Sequence, residues 1–266
     1  MRSDANISQH YADDLSACAE IVNRGDPDRF AAVMAASPAT RTVLFPIYAL
    51  NVEVARAPWV TEESIIAEMR LQWWRDALAE IKEGKDTRRH NVVSPLASVL
   101  DEHAAGVLDL LVEARRWDIY KDPFQDFKHF ERYLDQTSGA LMYVAARALG
   151  DIQENIARDV GVAMGLSNWF RAIPALEARN RVPLVDGRHE ALIDLARSGL
   201  ERLERARRSR RVVNRHVGQA FFAAWQTETI LKQVINQPCR VADGVLGISA
   251  FSQKSSLMFR AFSGRW

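Results

Sequence analysis

Three aspartates stand at four-residue intervals: Asp118, Asp122 and Asp126. On an α-helix that spacing stacks carboxylates on one face, and stacked carboxylates are a ligand set for a hard divalent cation such as Mg²⁺. Pro123 works against the helix, because it disfavours helical backbone at Asp122 and removes a donor. A solvated loop is therefore expected here, not a metal site. Asp76 and Glu80 also share a helical face, and with Arg75 alongside they read as an ordinary exposed surface. The histidines His10, His90, His103, His129, His189 and His216 show no metal-ligand spacing. No serine-nucleophile elbow, phosphate-binding loop or dinucleotide fingerprint occurs. Cys18 and Cys239 lie far apart and fit burial or a reducing compartment.

The segment Arg70-Leu71-Gln72-Trp73-Trp74-Arg75-Asp76-Ala77-Leu78 sets polar side chains beside two large aromatics. The indoles point roughly 100° apart on a helix, so one can pack inward while the other meets a neighbouring helix. A helix-packing seam is the reading the residues favour. Glu201–Arg215 holds seven arginines against two glutamates. On one continuous helix, Leu203, Ala206 and Val213 face a core while Arg205, Arg208, Arg211 and Arg215 form a basic face. Such a face suits water, an acidic partner or an anionic membrane. The C-terminal Phe251, Leu257, Met258, Phe259, Phe262 and Trp266 alternate with Lys254, Arg260 and Arg265. That pattern fits an interfacial helix or the last helix of a bundle, and the bundle is expected.

The elements that position these residues read as helices throughout. Asp26-Pro27 and Ser37-Pro38 are start signals. Helical periodicity is expected over 61–83, 127–149, 152–170, 191–213, 217–235 and 249–266, in about ten helices overall. Within the first of these, Ile65, Ile66, Met69, Trp73, Ala77 and Ile81 form the expected inward stripe. No alternating strand or hairpin signal appears. The 266 residues are 48% hydrophobic and 26% charged with a formal charge of +1. That balance excludes disorder and argues against nucleic acid as a partner. No apolar run approaches the roughly 18 residues of a membrane span. Met1–His10 resembles neither a signal peptide nor a transit peptide, so a cytoplasmic protein is expected, peripheral on the inner membrane at most. One all-α domain over residues 1–266 is the economical architecture.

Pro38-x-x-Arg41, Tyr48-Ala49-Leu50, the Arg70–Leu78 segment, Tyr133 with Ser138-Gly139, and Gly161–Leu184 with Asn168, Arg171 and Arg181 resemble the squalene/phytoene synthase family. The order is consistent from about residue 15 to 235. The resemblance implies an isoprenoid-synthase-type helical bundle around a central cavity. It marks Tyr48, Gln72, Trp74, Arg75, Asn168 and Arg171 as cavity or signature positions. It also implies two DxxxD motifs facing each other across the cavity, because diphosphate leaves only when Mg²⁺ neutralises its charge. Counting from Tyr48-Ala49-Leu50 and from Asn168 and Arg171, those acids fall at Ala55, Trp59, Ala172 and Leu176, none of which ligates metal. Glu53 and Glu177 do not restore the spacing, and Pro58 and Pro174 interrupt the blocks.

Asn51–Ala55, Met69–Trp74 and Arg171–Pro174 resemble the non-catalytic branch of the superfamily that serves assembly of respiratory complex I. The expectation is a pseudoenzyme without cofactor that meets complex I subunits or assembly intermediates. Two alternatives stay open. One is a prenyltransferase using Mg²⁺ on a rearranged acid set such as Asp76, Asp118 and Asp122. The other is a protein that binds an isoprenoid or lipid ligand without turning it over.

Overall fold

The computed structural model describes residues 2–266, with side chains from His10 onward except at 250, 251, 253 and 254. The N-terminal half carries α1 (Arg2–Gly25), α2 (Pro27–Met34), α3 (Pro38–Arg56), α4 (Ser64–Lys82), α5 (Val93–Ala97) and α6 (Glu102–Ala114). After these come α7 (Phe127–Leu134), α8 (Ala140–Arg147), α9 (Glu154–Glu177), α10 (His189–Arg208), α11 (Thr227–Asn236), α12 (Cys239–Ala242) and α13 (Ala250–Ser263). The fold is all-α, with no strand among the described residues.

Two long helices carry central stretches that are buried on every side, as does the short α8. Leu44 through Val52 of α3 and Val160 through Ser167 of α9 are unbroken buried runs. A helix without a polar face belongs at the centre of its bundle. Accordingly α9 packs against α8, α10 and α11, while α1 covers α3 and α6 covers α4. The buried apolar residues form two clusters, a large one around α3, α6 and α8 and a smaller one joining Phe130, Phe170, Ala196 and Leu231.

The two start signals act as caps. Asp26 Oδ1 accepts the Arg29 amide at 2.9 Å, and Ser37 Oγ accepts the Thr40 amide at 3.4 Å. Other expectations are corrected. The span 127–149 is not one regular helix: a π-helical turn, Asp135–Gly139, separates α7 from α8. The arginine-rich helix stops at Arg208, so 210–212 is a separate 3₁₀ turn and no single face runs to Arg215. Val217–Ala224 is 3₁₀, ahead of α11. On α4 the inward stripe is Ala67, Leu71, Trp74, Ala77 and Leu78, and Ile65 and Met69 are exposed. The expected stripe holds at Ala77, which is buried, and at Trp73 and Ile81, which pack against the core, and fails at Ile65, Ile66 and Met69, because apolar residues occupy both faces at the start of this helix.

The arginines of α10 are mostly spent inside the molecule. Arg205 grips Asp159 of α9 with two hydrogen bonds of 2.6 Å, and Arg202 reaches the same carboxylate at 3.2 Å. Arg207 holds Glu228 of α11 at 2.6 Å. Hydrogen bonds from Lys232 and Arg207 pull the Glu228 carboxyl from 4.5 down to about 2. A depressed acid stabilises the fold above its unfolded pKa and loses that contribution as pH falls through the folded value. Glu228 is expected to contribute about 1 kcal/mol above roughly pH 5, after discounting for water at this third-exposed group, and to lose it as pH falls from about 5 to 2. Denaturant unfolding across that window should show a shallower pH slope for Glu228→Gln than for the parent.

Candidate functional site

Where the two apolar clusters meet, a cavity of about 250 Å³ opens between α3, α9 and the segment from Arg115 to Leu141. Ala55 and Trp59 line it from the end of α3, and Ala172 and Leu176 line it from α9. These are the four positions at which the sequence comparison expected carboxylates, and the fold brings all four to one cavity. Pro58 ends α3, so Trp59 sits in a 3₁₀ turn, Ala57–Trp59, with its indole 40% exposed at the mouth. The guanidiniums of Arg179 and Arg181 stack over that indole at 4.4 and 4.8 Å, a cation–π arrangement. Of the substitute acids, Glu53 is tied to Arg56 at 3.0 Å and Glu177 is exposed outside the cavity lining.

The polar wall of the cavity centres on Asp118. Tyr133 donates its hydroxyl to Asp118 Oδ1 at 2.6 Å, and Arg115 donates to Asp118 Oδ2 at 3.0 Å and to the Tyr133 oxygen at 2.9 Å. Arg181 donates to the Asp118 carbonyl. Burial pushes the Tyr133 phenol well above its ordinary value; Arg115 opposes this and the Asp118 carboxylate adds to it. Residues 119–126 form the expected, mostly exposed loop, and of the three aspartates only Asp118 departs from it. Asp118 lies buried in a 3₁₀ turn, Asp122 stands exposed at the rim, and Asp126 caps α7 by accepting the His129 amide at 2.7 Å. Asp26, also at the cavity, is paired with Arg29. An aromatic floor completes the site, with Trp117 stacked on Phe124 at 4.0 Å and Trp169 donating to the Pro183 carbonyl at 2.9 Å.

These donors do not fit a Mg²⁺–diphosphate cluster. Two of the three acids at the cavity already neutralise arginines, and the α3 and α9 faces present methyl, indole and isobutyl groups. Among the described residues no group of three or more His, Cys, Asp or Glu is placed to hold a metal ion. Asp76 does not join Asp118 and Asp122, because it lies on α4 and accepts from Gln72 at 2.8 Å.

Of the named signature positions, Asn168 reaches the cavity mouth and Arg171 lines the adjoining cleft, where it pairs with Asp28 at 2.7 Å. The rest lie elsewhere. Tyr48 is wholly buried behind the cavity with Arg29 at 5.0 Å over its ring, and burial pushes its phenol up to about 12. Gln72 is exposed and accepts from Arg116 at 3.2 Å. Trp74 meets Trp73 edge-on at 4.8 Å and His90 at 5.5 Å. Arg75 clasps Asp109 of α6 at 2.7 Å and also bonds Glu113. The Arg70–Leu78 segment is therefore the seam that fastens α4 to α6. The sequence reading missed Arg29, Asn51, Arg115 and Trp117 as cavity residues. Arg29 sits three residues after Asp26, a spacing that also reads as a plain helix start.

A central helix pair whose facing positions border one cavity is the architecture of the isoprenoid-synthase class. The family profile described as squalene/phytoene synthase matches residues 22–242, so the chain belongs to the squalene/phytoene synthase family. A dehydrosqualene synthase solved with ligand superposes at a TM-score of 0.79 and 16% identity, covering 96% of this chain and 97% of that one. Squalene synthase HpnC from Alicyclobacillus acidocaldarius superposes at 0.71 and 14% identity, covering 85% and 95%. By sequence, the chain is similar to the Homo sapiens protein named NADH dehydrogenase (ubiquinone) complex I, assembly factor 6, at 24% identity over 181 residues. Its Dictyostelium discoideum homolog is 25% identical over 146 residues. The matches cover 62% and 52% of this chain but 51% and 40% of those proteins, so the chain spans about half the length of the curated relatives it matches.

Proposed function

We propose that this protein is a non-catalytic squalene/phytoene synthase-like factor that assists assembly of NADH:quinone oxidoreductase, working in the cytoplasm against the inner membrane. The observation that carries the non-catalytic part is the cavity wall: Ala55, Trp59, Ala172 and Leu176 all face it, and none binds a cation. Without a cation, a diphosphate leaving group keeps its full charge and ionisation has no driving force. Similarity to the assembly factors supports the assembly role.

The cavity of about 250 Å³ adjoins a cleft of about 440 Å³, and Asp26, Arg29, Asn168 and Ala172 line both. Trp59, Leu176 and the aromatic floor line the cavity side. We read the cavity wall as the support for an outer surface that meets complex I subunits or assembly intermediates.

Deleting the gene in its own organism tests the role. Membranes should lose NADH:quinone oxidoreductase activity and the assembled complex on native gels, and both should return with the intact gene. Normal complex I, together with a missing prenyl product, would overturn the proposal.

A further inference from the structure

The C-terminal helix is amphipathic in an unusual way: its inner face is anchored and its outer face is apolar without any acid. Leu257 and Trp266 are buried, and Trp266 packs on Phe221 at 4.5 Å. Arg260 donates to the Trp225 carbonyl at 3.3 Å, and Arg210 donates to the Trp266 carbonyl. On the outer side, Met258, Phe259 and Phe262 are 72%, 58% and 88% exposed. Phe262 and Met258 lie four apart, on one stripe of α13. Arg215 lies against Gly264 and donates to the Phe262 carbonyl at 3.1 Å, which brings the 210–215 turn, with its exposed Val212, alongside the helix end. The side chains of Phe251 and Lys254 lie outside the described residues.

Charge identifies the occupant. No Asp or Glu occurs from Arg205 to Thr227 or from Gly244 to Trp266. Arg211, Arg215 and Arg265 are exposed around the apolar side chains. Large side chains projecting outward beside cations, on two stretches of chain that carry no acid, suit the boundary between headgroups and acyl chains of an anionic bilayer. Glu228, the acid whose charge reaches Arg260, is paired with Arg207 and Lys232. Another exposed apolar strip, Ile65 and Met69 on α4, follows Glu62 and Glu63 and brackets Glu68, which an anionic surface repels.

We propose that α13 and the 210–215 turn form a docking surface for an anionic membrane, with Met258, Phe259 and Phe262 entering the interface and Arg211, Arg215 and Arg265 meeting phosphate headgroups. This surface is built from residues outside the cavity and stands whether or not the protein serves complex I. It also moves the membrane-facing role away from Arg205, whose guanidinium is committed to Asp159. No helix of the described residues is long and apolar enough to cross a membrane, and the contact proposed here is one of side chains entering the interface.

Vesicle flotation of the full chain tests this, using phosphatidylcholine with and without phosphatidylglycerol. Binding is expected only with the anionic lipid and should weaken as salt rises from about 0.1 to 0.5 M. Met258→Asp with Phe262→Asp, and separately Arg211→Glu with Arg265→Glu, should each cut the partition by about tenfold or more. Met69→Asp should leave it unchanged, and unaltered thermal unfolding of the variants confirms that they fold. Equal binding to neutral vesicles, no binding at all, or a self-associated chain whose dimer is broken by the Phe262 change would overturn the proposal.

Discussion

Replacing Asp118 with Asn is expected to destabilise the fold by about 3 kcal/mol, the cost of leaving a buried cation without its counter-charge. Arg115 and Tyr133 both direct their donors at this carboxylate, and only 10% of its side chain meets solvent. Asn keeps an acceptor for the tyrosine but offers an amide group toward a guanidinium that then has no negative partner. At this chain length such a loss corresponds to a fall in melting temperature of roughly 6–12 °C. If the charge pair itself sets the cost, then Arg115→Met with Asp118→Leu should recover most of the stability, since an apolar replacement of a buried pair is often neutral. A double-mutant cycle read by thermal unfolding separates the pair term from the single losses. A double variant as unstable as the sum of the two singles would show that packing, not charge pairing, holds this wall.

The second large effect lies where α9 crosses the π-helical turn. A Cβ on Gly161 would stand 2.5 Å from the Ser138 carbonyl oxygen, 2.7 Å from Met142 Cβ and 2.8 Å from Gly139 Cα. Two of those atoms are backbone and cannot rotate away, so the helices must part. Overpacking of this kind costs about 1–3 kcal/mol and sometimes more, against the roughly 1 kcal/mol that Ala gains over Gly inside a helix. With a backbone oxygen at 2.5 Å the cost lies at the upper end, about 3 kcal/mol, so Gly161→Ala should lose about 2 kcal/mol net. Gly106, inside α6, gives the opposite case, because its Cβ would meet nothing closer than the end of Lys82 at 4.0 Å. Gly106→Ala should gain up to about 1 kcal/mol. Chemical denaturation of both variants checks the sign as well as the size. A neutral Gly161→Ala would mean that α9 does not approach the turn as closely as this geometry requires.

The helical architecture was legible because caps and periodicity are local signals. Asp26 and Ser37 cap the helices that their Asp-Pro and Ser-Pro pairs announce. The phase of α4 was not legible. Ile65 and Met69 are as apolar as Leu71 and Leu78, and only the position of α6 decides which face is inward. The π turn also escaped: Asp135–Gly139 is rich in weak helix formers, but composition does not distinguish a π turn from any other irregularity, and this one packs closely on Gly161 and Gly165. At the cavity, Ala55, Trp59, Ala172 and Leu176 all contribute to the lining; the i, i+4 spacing on α9 fixes Ala172 and Leu176 on one face, whereas Trp59 reaches the cavity from the 3₁₀ turn that follows α3. Arg115 and Trp117 were missed because they lie in a 3₁₀ turn whose direction no period predicts. The arginine-rich run misled for a related reason. Charge is visible in sequence, but its neutralisation by Asp159 and Glu228, distant along the chain, is not.

Pyrophosphate release tests most directly the proposal that metal-dependent chemistry is absent at this cavity. Purified protein incubated with farnesyl diphosphate, with and without Mg²⁺, should release no pyrophosphate above the protein-free rate, and Mg²⁺ should leave any binding unchanged. Mg²⁺-dependent release with formation of a prenyl product would contradict the account and require a set of carboxylates that converges during turnover.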